Sequence, residues 1–130
     1  MTKAITSAAA VKLVEQGLVA LDEPISRHLP AFKSPRVLTG FRGGRAVYRA
    51  PSRPVTLRHL MTHTSGLGYG NWDEQMAKWS KLPQSQRTGL EPLLFDPGSR
   101  WQYGTGIDWT GRLIEKLTEL SLEEYFQKHF

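Results

Sequence analysis

Apolar residues recur at helical spacing over the first part of the chain. Three of them stand four residues apart, and a glycine follows: Ile5, Ala9, Leu13 and Gly17. This pattern predicts a helix over residues 2–16 that ends at the glycine. Between residues 4 and 11 the helix is apolar on nearly every face, which is typical of a helix wedged between other elements. We therefore expect a central, buried helix of a larger domain.

Further helices are indicated by capping residues that stand next to apolar stretches. Pro24 suits the first position of a short helix, and Thr56 is a good N-cap for another. The predicted helices span residues 24–29, 57–61, 71–81 and 107–120. Ser121 and Glu124 then form a capping box that opens a last helix, which runs to the chain end near Phe130.

One β-hairpin is expected in the middle of the chain. Residues 37–41 and 45–49 are rich in β-branched and aromatic side chains and flank the turn Arg42-Gly43-Gly44. Residues 83–98 contain three prolines and no clean period, which predicts a long irregular loop with an apolar patch at Leu93-Leu94-Phe95. The sequence therefore predicts a mostly α fold with one small β-hairpin.

Composition restricts the classes of protein and of chemistry. Hydrophobic residues make up 39% of the 130 residues and charged residues 22%, which is ordinary for one folded domain. Because the chain has no cysteine, covalent catalysis would have to use Ser, Thr, Lys or a carboxylate. The sequence contains no recognisable signal peptide or stretch long enough to span a bilayer, so we expect no membrane partner and leave the localisation open.

The net charge of +5 comes largely from one region. No acidic residue stands between Pro24 and Trp72, whereas this region contains Arg27, Lys33, Arg36, Arg42, Arg45, Arg49, Arg53 and Arg58. A small basic nucleic-acid binder is therefore one alternative. Only Phe32, Phe41 and Tyr48 could stack on bases within the basic stretch, so we favour a solvated basic face and expect no nucleic-acid partner.

Lys3 is the first candidate for chemistry. Met1-Thr2-Lys3 looks like the end of a Ser-x-x-Lys motif whose serine would stand immediately before Met1. Residues three apart at a helix start project from one face, so the amine can reach the hydroxyl. The helix dipole there disfavours the charged amine, which suits it to act as a base. Spacing alone favours a solvated lysine, so the assignment depends on the rest of the chain.

Three further stretches follow the motifs of one enzyme family in order. They are residues 17–25 (GLVALDEPI), 57–67 (LRHLMTHTSGL) and 95–103 (FDPGSRWQY). On these motifs the chain resembles the class C β-lactamases, the penicillin-binding proteins and related serine esterases. The resemblance implies that Tyr103 is the second catalytic residue and shares proton transfer with Lys3. The alternative is an aromatic residue that anchors a loop.

Some residues depart from the family motifs, and two other stretches match a motif in the wrong place. In β-lactamases the tyrosine is usually followed by Ser and then Asn, whereas Gly104-Thr105 stand here, which favours the esterase-like members. Tyr69-Gly70-Asn71 contains a Tyr-x-Asn but lacks the preceding Pro-Gly, so we interpret it as a decoy. Trp109-Thr110-Gly111 has the letters of the family's last motif but lies in a predicted helix, so we expect that motif to lie beyond this chain.

The histidine-rich segment suggests two other sites. His63 and Ser65 could form a serine–histidine pair, and His59 and His63 share a face that could hold a metal. A zinc pair of this kind needs a third ligand and a neighbouring glutamate base, which the H-E-x-x-H pattern would supply and this segment lacks. We favour side-chain capping of a helix end for residues 63–66, and we expect neither a metal nor a cofactor.

The resemblance implies a fold and a reaction. The fold is the helical region of an α+β architecture in which a sheet made from both chain ends packs on helices, with the site at the junction. The reaction is acyl transfer from a small-molecule ester or amide through an acyl-enzyme, with Lys3 and Tyr103 moving the proton. We expect residues 1–130 to be a single incomplete domain that lacks the sheet strands and the serine, and to be inactive alone. A non-catalytic scaffold or binding remnant is the alternative.

Overall fold

The computed structural model describes residues 2–68, 73–87 and 89–129. Within these ranges the chain forms five α-helices and one antiparallel pair of strands. The elements are α1 (Thr2–Glu15), β1 (Val37–Arg42), β2 (Arg45–Arg49), α2 (Leu57–Met61), α3 (Glu74–Ser80), α4 (Gly106–Thr118) and α5 (Leu122–His129). The prediction of a mostly α chain with one small hairpin is confirmed for these ranges. This arrangement is consistent with part of a β-lactamase-like fold.

Helix α1 has the predicted limits to within one residue. Gly17 has a φ of +77°, which a residue without a Cβ adopts easily, and the amide of Leu18 donates to the carbonyl of Leu13 at 3.1 Å. The helix therefore ends in a glycine turn, as expected.

The predicted burial of α1 is only partly met within the described chain. Ala9, Ala10 and Leu13 are fully enclosed, whereas Ile5 is 39% and Val11 42% exposed. One face of the helix thus packs on the rest of the chain, and another apolar face is open to solvent.

Helix α4 lies at the centre of the structure and packs against α1, α2 and α5. Its buried apolar side chains include Ile107, Leu113 and Ile114, as the sequence predicted, and Leu117 is partly buried. The core around them is aliphatic and includes Leu13, Ile25, Leu57, Leu60, Leu67 and Leu93. Full burial of each such side chain contributes about 1.5–3 kcal/mol before conformational entropy is counted. The segments that lead into α4 are therefore anchored on a well-packed core.

Two capping boxes fix the starts of short helices. At α5, the amide of Ser121 donates to the Glu124 carboxylate at 3.2 Å, and the amide of Glu124 donates to the Ser121 hydroxyl at 3.1 Å. At α2, the amide of His59 donates to the Thr56 hydroxyl, and the amide of Thr56 donates to Nδ1 of His59 at 3.1 Å. Both N-termini lie where the sequence predicted them.

The hairpin turns through two glycines and packs on α3. Gly43 and Gly44 have φ values of +58° and +77°, the pair of positive angles that a tight two-residue hairpin turn requires. The indole N–H of Trp79 donates to the hydroxyl of Tyr48 at 2.9 Å. A second, smaller cluster of buried side chains forms here, made of Leu38, Met76 and Trp79.

The apolar patch predicted in the loop over residues 83–98 is largely buried. Leu93 is fully buried and Phe95 is 7% exposed. The amide of Leu93 donates to the carbonyl of Arg36, and the amide of Leu38 donates to the carbonyl of Leu93, both at 2.7 Å. Leu93 therefore extends the hairpin at the edge of β1 through a pairing between distant parts of the chain.

Helix α3 is shorter than the predicted helix over residues 71–81. It begins after Asp73, whose carboxylate accepts the amide of Met76 at 2.9 Å, and residues 71 and 72 lie outside the described ranges. In the part of the chain that the structure describes, the helices are too short or too polar to cross a membrane.

Candidate active site

Tyr103 lies in the segment that leads into α4, which we call the tyrosine loop (residues 97–105). Two glycines let this part of the chain press against other backbone segments. A Cβ added to Gly104 would overlap the carbonyl oxygen of Leu67, and one added to Gly106 would overlap that of Leu60. The close approach gives a physical reason for a glycine directly after the tyrosine.

Hydrogen bonds tie the tyrosine loop to the segment that follows α2. The amide of Gln102 donates to the carbonyl of His63 at 2.8 Å, and the amide of Gly98 donates to the carbonyl of Thr64 at 2.7 Å. The Gln102 side chain reaches the Asp73 carboxylate at the start of α3, at 3.2 Å. The backbone on both sides of Trp101 is therefore fixed, which positions Tyr103.

The imidazole of His63 packs on the aromatic ring of Tyr103. The two ring centroids are 4.7 Å apart with an interplanar angle of 37°, and the ring of Trp101 lies 5.8 Å from the imidazole on an edge-to-face geometry. Such distances are those of attractive aromatic pairs. Sequence reasoning placed His63 in a helix end and missed this contact, for which spacing along the chain gives no signal.

The end of α2 is closed differently from the side-chain capping expected of residues 63–66. The amide of Thr64 donates to the carbonyl of His59, and the Thr62 hydroxyl donates to the carbonyl of Arg58. The Thr64 side chain contributes a hydroxyl that lies 2.8 Å from that of Thr62. Ser65 is buried, and its hydroxyl accepts the amide of Leu67 at 3.3 Å. Ser65 thus stabilises a turn, which disfavours a nucleophilic role.

An ion pair joins the hairpin to the start of the tyrosine loop. Nη1 and Nη2 of Arg49 donate to the Asp96 carboxylate, at 2.9 and 3.1 Å, and the amide of Ser52 donates to it at 2.8 Å. The hydrogen bonds from Arg49, then the one from Ser52, lower the pKa of Asp96 to about 2. Asp96 is therefore ionised at neutral pH, and its ion pair with Arg49 anchors the start of the motif to β2.

Thr105 is held by an acid that the sequence analysis did not identify. Its hydroxyl donates to the Glu91 carboxylate at 2.6 Å. Burial raises the pKa of Glu91, and the hydrogen bond from Thr105 and the charge of Arg112 oppose that rise. An open cavity of about 580 Å³ borders both residues and has aromatic walls from Trp79 and Trp109. Glu91 shares its loop with Arg87 and Asp96, and no local pattern in the sequence connects it with Thr105.

Lys3 lies in the first turn of α1, and its side chain is outside the described part of the structure. One turn later, Thr6 is buried and borders a cavity of about 280 Å³ together with Ile107, in the first turn of α4. The face of α1 that carries Thr6 is therefore turned toward the first turn of α4. Tyr69, the rival tyrosine, lies outside the described ranges.

The other motif-like residues have structural environments. Trp109, Thr110 and Gly111 lie inside α4, as their helical surroundings predicted. His59 takes part in the α2 capping box, and burial, then the nearby charge of Arg53, lowers its pKa. Among the described residues, no three histidine or acidic side chains are grouped closely enough to hold a metal.

The basic stretch is partly neutralised by acids from outside it. Arg58 pairs with Asp22 at 2.7 Å, and Arg27 pairs with Glu23 at 3.1 Å, in addition to the pair of Arg49 described above. These pairs neutralise three arginines of the stretch, so fewer of its cations are left to contact phosphates than the sequence count suggests.

Comparisons with known proteins agree with the motifs. The Beta-lactamase family profile matches residues 1–130. The chain is 43% identical to ML-236A carboxylate methylbutanoyltransferase of Penicillium citrinum and 40% identical to lovastatin esterase of Penicillium rubens, over 98% of its own length in each case. It covers 33% and 34% of those proteins, so it spans about a third of their length.

A solved structure shows the same architecture. The unliganded simvastatin synthase of Aspergillus terreus matches 99% of this chain with a TM-score of 0.90 and 38% identity, and the matched part is 35% of that protein. The profile match over all 130 residues and the identities above 30% leave no ambiguity about ancestry. The chain belongs to the beta-lactamase family, in which its relatives include acyltransferases and esterases.

Proposed function

We propose that these 130 residues supply two of the three catalytic side chains of an acyl-transfer site that acts on small-molecule esters. A serine immediately before Met1 attacks the ester carbonyl and forms an acyl-enzyme, while Lys3 and Tyr103 exchange the proton of its hydroxyl. Water or an alcohol then takes the acyl group. In this proposal the 130 residues are one part of a domain completed by sheet strands from further sequence.

The fixed position of Tyr103 is the observation that carries the proposal. The half-buried ring of Tyr103 packs on the His63 ring, and the following residue, Gly104, packs tightly on the backbone of Leu67. A general base or acid must be held within hydrogen-bonding reach of the atom whose proton it moves, and a rigid backbone on both sides of the residue meets that need. A tyrosine that only anchored a loop would not require glycines at two neighbouring close contacts.

The packing of α1 on α4 supports the pairing of Lys3 with Tyr103. Thr6 and Ile107 border the same cavity, and they lie three and four residues after the two proposed catalytic residues. The first turns of both helices are therefore neighbours. Lys3 also lies at the N-terminal, positive end of α1, which favours the uncharged amine that a base requires.

Thr105 and Glu91 support esters rather than β-lactams as substrates. In β-lactamase members an asparagine stands at the position of Thr105, whereas the hydroxyl here already donates to Glu91 at 2.6 Å. At position 105 the chain therefore has no carboxamide that could bind the amide side chain of a β-lactam. The names of the relatives, a methylbutanoyltransferase and a lovastatin esterase, describe the transfer and the hydrolysis of ester groups in those proteins.

The test uses a chain extended at both ends with the natural sequence, with serine directly before Met1. Incubation with a p-nitrophenyl ester should give an acyl-enzyme detectable by mass spectrometry. Lys3→Ala and Tyr103→Phe should each lower turnover by orders of magnitude, while Tyr69→Phe, the matched control, should change it little. A chromogenic cephalosporin should be a far poorer substrate than the ester.

Two results would contradict the proposal. If Tyr69→Phe abolishes turnover and Tyr103→Phe does not, the site has to be rebuilt around Tyr69-Gly70-Asn71. If the extended chain forms no acyl-enzyme, the scaffold alternative is favoured. The 130-residue chain by itself should hydrolyse the ester no faster than its Lys3→Ala variant, because a lysine and a tyrosine without a nucleophile give only weak general-base assistance. Restoring the serine alone should not suffice, because loss of one oxyanion-hole donor typically costs about a hundredfold to a thousandfold in rate.

A further inference from the structure

His63 adopts a backbone conformation that residues other than glycine rarely adopt. Its φ is +58°, and among the described residues only Glu119 shares a positive φ without being glycine. The position follows the end of α2, where the amide of Thr64 donates to the carbonyl of His59 at 3.0 Å. Glycine is the usual residue at this point of such a helix end, because a Cβ is strained there. The backbone alone therefore favours glycine at this position.

The side chain of His63 supplies the reason for a histidine. Its ring lies 4.7 Å from the ring of Tyr103 and 5.8 Å from that of Trp101, so it contacts both aromatic residues that flank Gln102. The backbone carbonyl of the same histidine accepts the amide of Gln102 at 2.8 Å. The side chain and the main chain of one residue thus hold three consecutive residues of the tyrosine loop.

We propose that His63 is a positioning residue for Tyr103 in the acyl-transfer reaction. The imidazole covers one face of the phenol ring and limits its rotation, so that the hydroxyl stays aimed at the proton it moves. A glycine at position 63 would relieve the backbone strain but would also remove the ring that packs on Tyr103. This inference rests on the proposed function, since His63 affects turnover only by orienting a Tyr103 that takes part in the reaction.

The experiment uses the extended chain and four variants. His63→Gly removes the ring and relieves the backbone strain, and we expect kcat to fall by about tenfold to a hundredfold with KM changed far less. His63→Phe keeps an aromatic ring on Tyr103 and should recover most of the loss. Glu119→Gly is the matched control, because it relieves the same kind of strain at the end of α4, and it should leave kcat unchanged.

The fourth variant combines His63→Gly with Tyr103→Phe. If His63 acts through the tyrosine hydroxyl, the double variant should be no slower than Tyr103→Phe alone. A loss that adds to that of Tyr103→Phe would overturn the inference, because a general structural role would lower any residual turnover too. Circular dichroism and thermal melting of each variant check that it is folded, and His63→Gly should melt no lower than the unmodified chain.

The outcomes separate this inference from the proposed function. If Tyr103→Phe is inactive and His63→Gly keeps full kcat, His63 has no positioning role while the proposed function stands. If Tyr103→Phe is fully active, the proposed function fails and the inference fails with it. If His63→Gly unfolds, His63→Phe decides: wild-type kcat with the ring retained supports positioning, and a large loss from a folded Phe variant refutes it.

Discussion

Replacing Gly104 by alanine should disrupt the contact that sets the tyrosine loop against the core. The added Cβ would overlap the carbonyl oxygen of Leu67 and lie 3.1 Å from the Cα of Gly68. That carbonyl cannot move away easily, because the Leu67 side chain is buried and the neighbouring carbonyl of Gly66 accepts the amide of Leu94 at 2.7 Å. The strain must therefore be relieved by moving the loop.

The expected magnitude follows from the kind of atom that the methyl group meets. Overpacking typically costs 1–3 kcal/mol, and a rigid backbone neighbour places Gly104→Ala near the upper end, at about 3 kcal/mol of unfolding free energy. Gly111→Ala is the contrast, since its Cβ would meet the end of the Leu122 side chain at 2.9 Å, which can rotate. Within a helix the exchange of glycine for alanine gains about 0.5–1 kcal/mol, which offsets that shift.

Urea denaturation of the extended chain, followed by circular dichroism, measures both variants. Gly104→Ala should unfold at a clearly lower urea concentration, and Gly111→Ala should unfold close to the unmodified chain. Because Tyr103 directly precedes Gly104, Gly104→Ala should also lose turnover under conditions where it is still folded. Equal stability of the two variants would refute the close packing of the tyrosine loop on Leu67.

Two further predictions concern exposed surfaces and pH. The 130-residue chain alone should be poorly stable or self-associate, because Ile5 and Val11 on α1 are 39% and 42% exposed; a sharp melt from a monomer in analytical ultracentrifugation would contradict this. Asp96 has its pKa lowered to about 2 by Arg49 and Ser52, so its contribution to stability should be full above pH 3.8 and be lost as the pH falls toward 2. Melting of Asp96→Asn should show less of that acid dependence, and an unchanged pH profile would contradict the role of the pair.

Local signals in the sequence were sufficient for most of the secondary structure. The helix over residues 2–16 and the one over residues 57–61 were predictable because a glycine and a threonine mark their ends, and capping chemistry acts within four residues. The hairpin was predictable for the same reason, since its two glycines require positive φ angles. These elements depend on neighbours in sequence.

Contacts between distant parts of the chain were not predictable in this way. The pairing of Leu93 with Arg36 and Leu38 was not predicted, because nothing near Leu93 in the sequence indicates it. Glu91 and His63 were not connected to Thr105 and Tyr103, since no period links a helix end or a loop to a residue far along the chain. The candidate catalytic residues came from family motifs, and their supporting residues came from the structure.

The pairing of Leu93 with β1 and the ion pair of Asp96 with Arg49 have a consequence for local unfolding. Both contacts join the hairpin to the segment that continues into the tyrosine loop. The hairpin cannot swing away unless these contacts break, so the two regions should open as one cooperative unit in hydrogen exchange. Substitutions in the hairpin, although remote from Tyr103 in sequence, would then change how often the segment that carries Tyr103 opens.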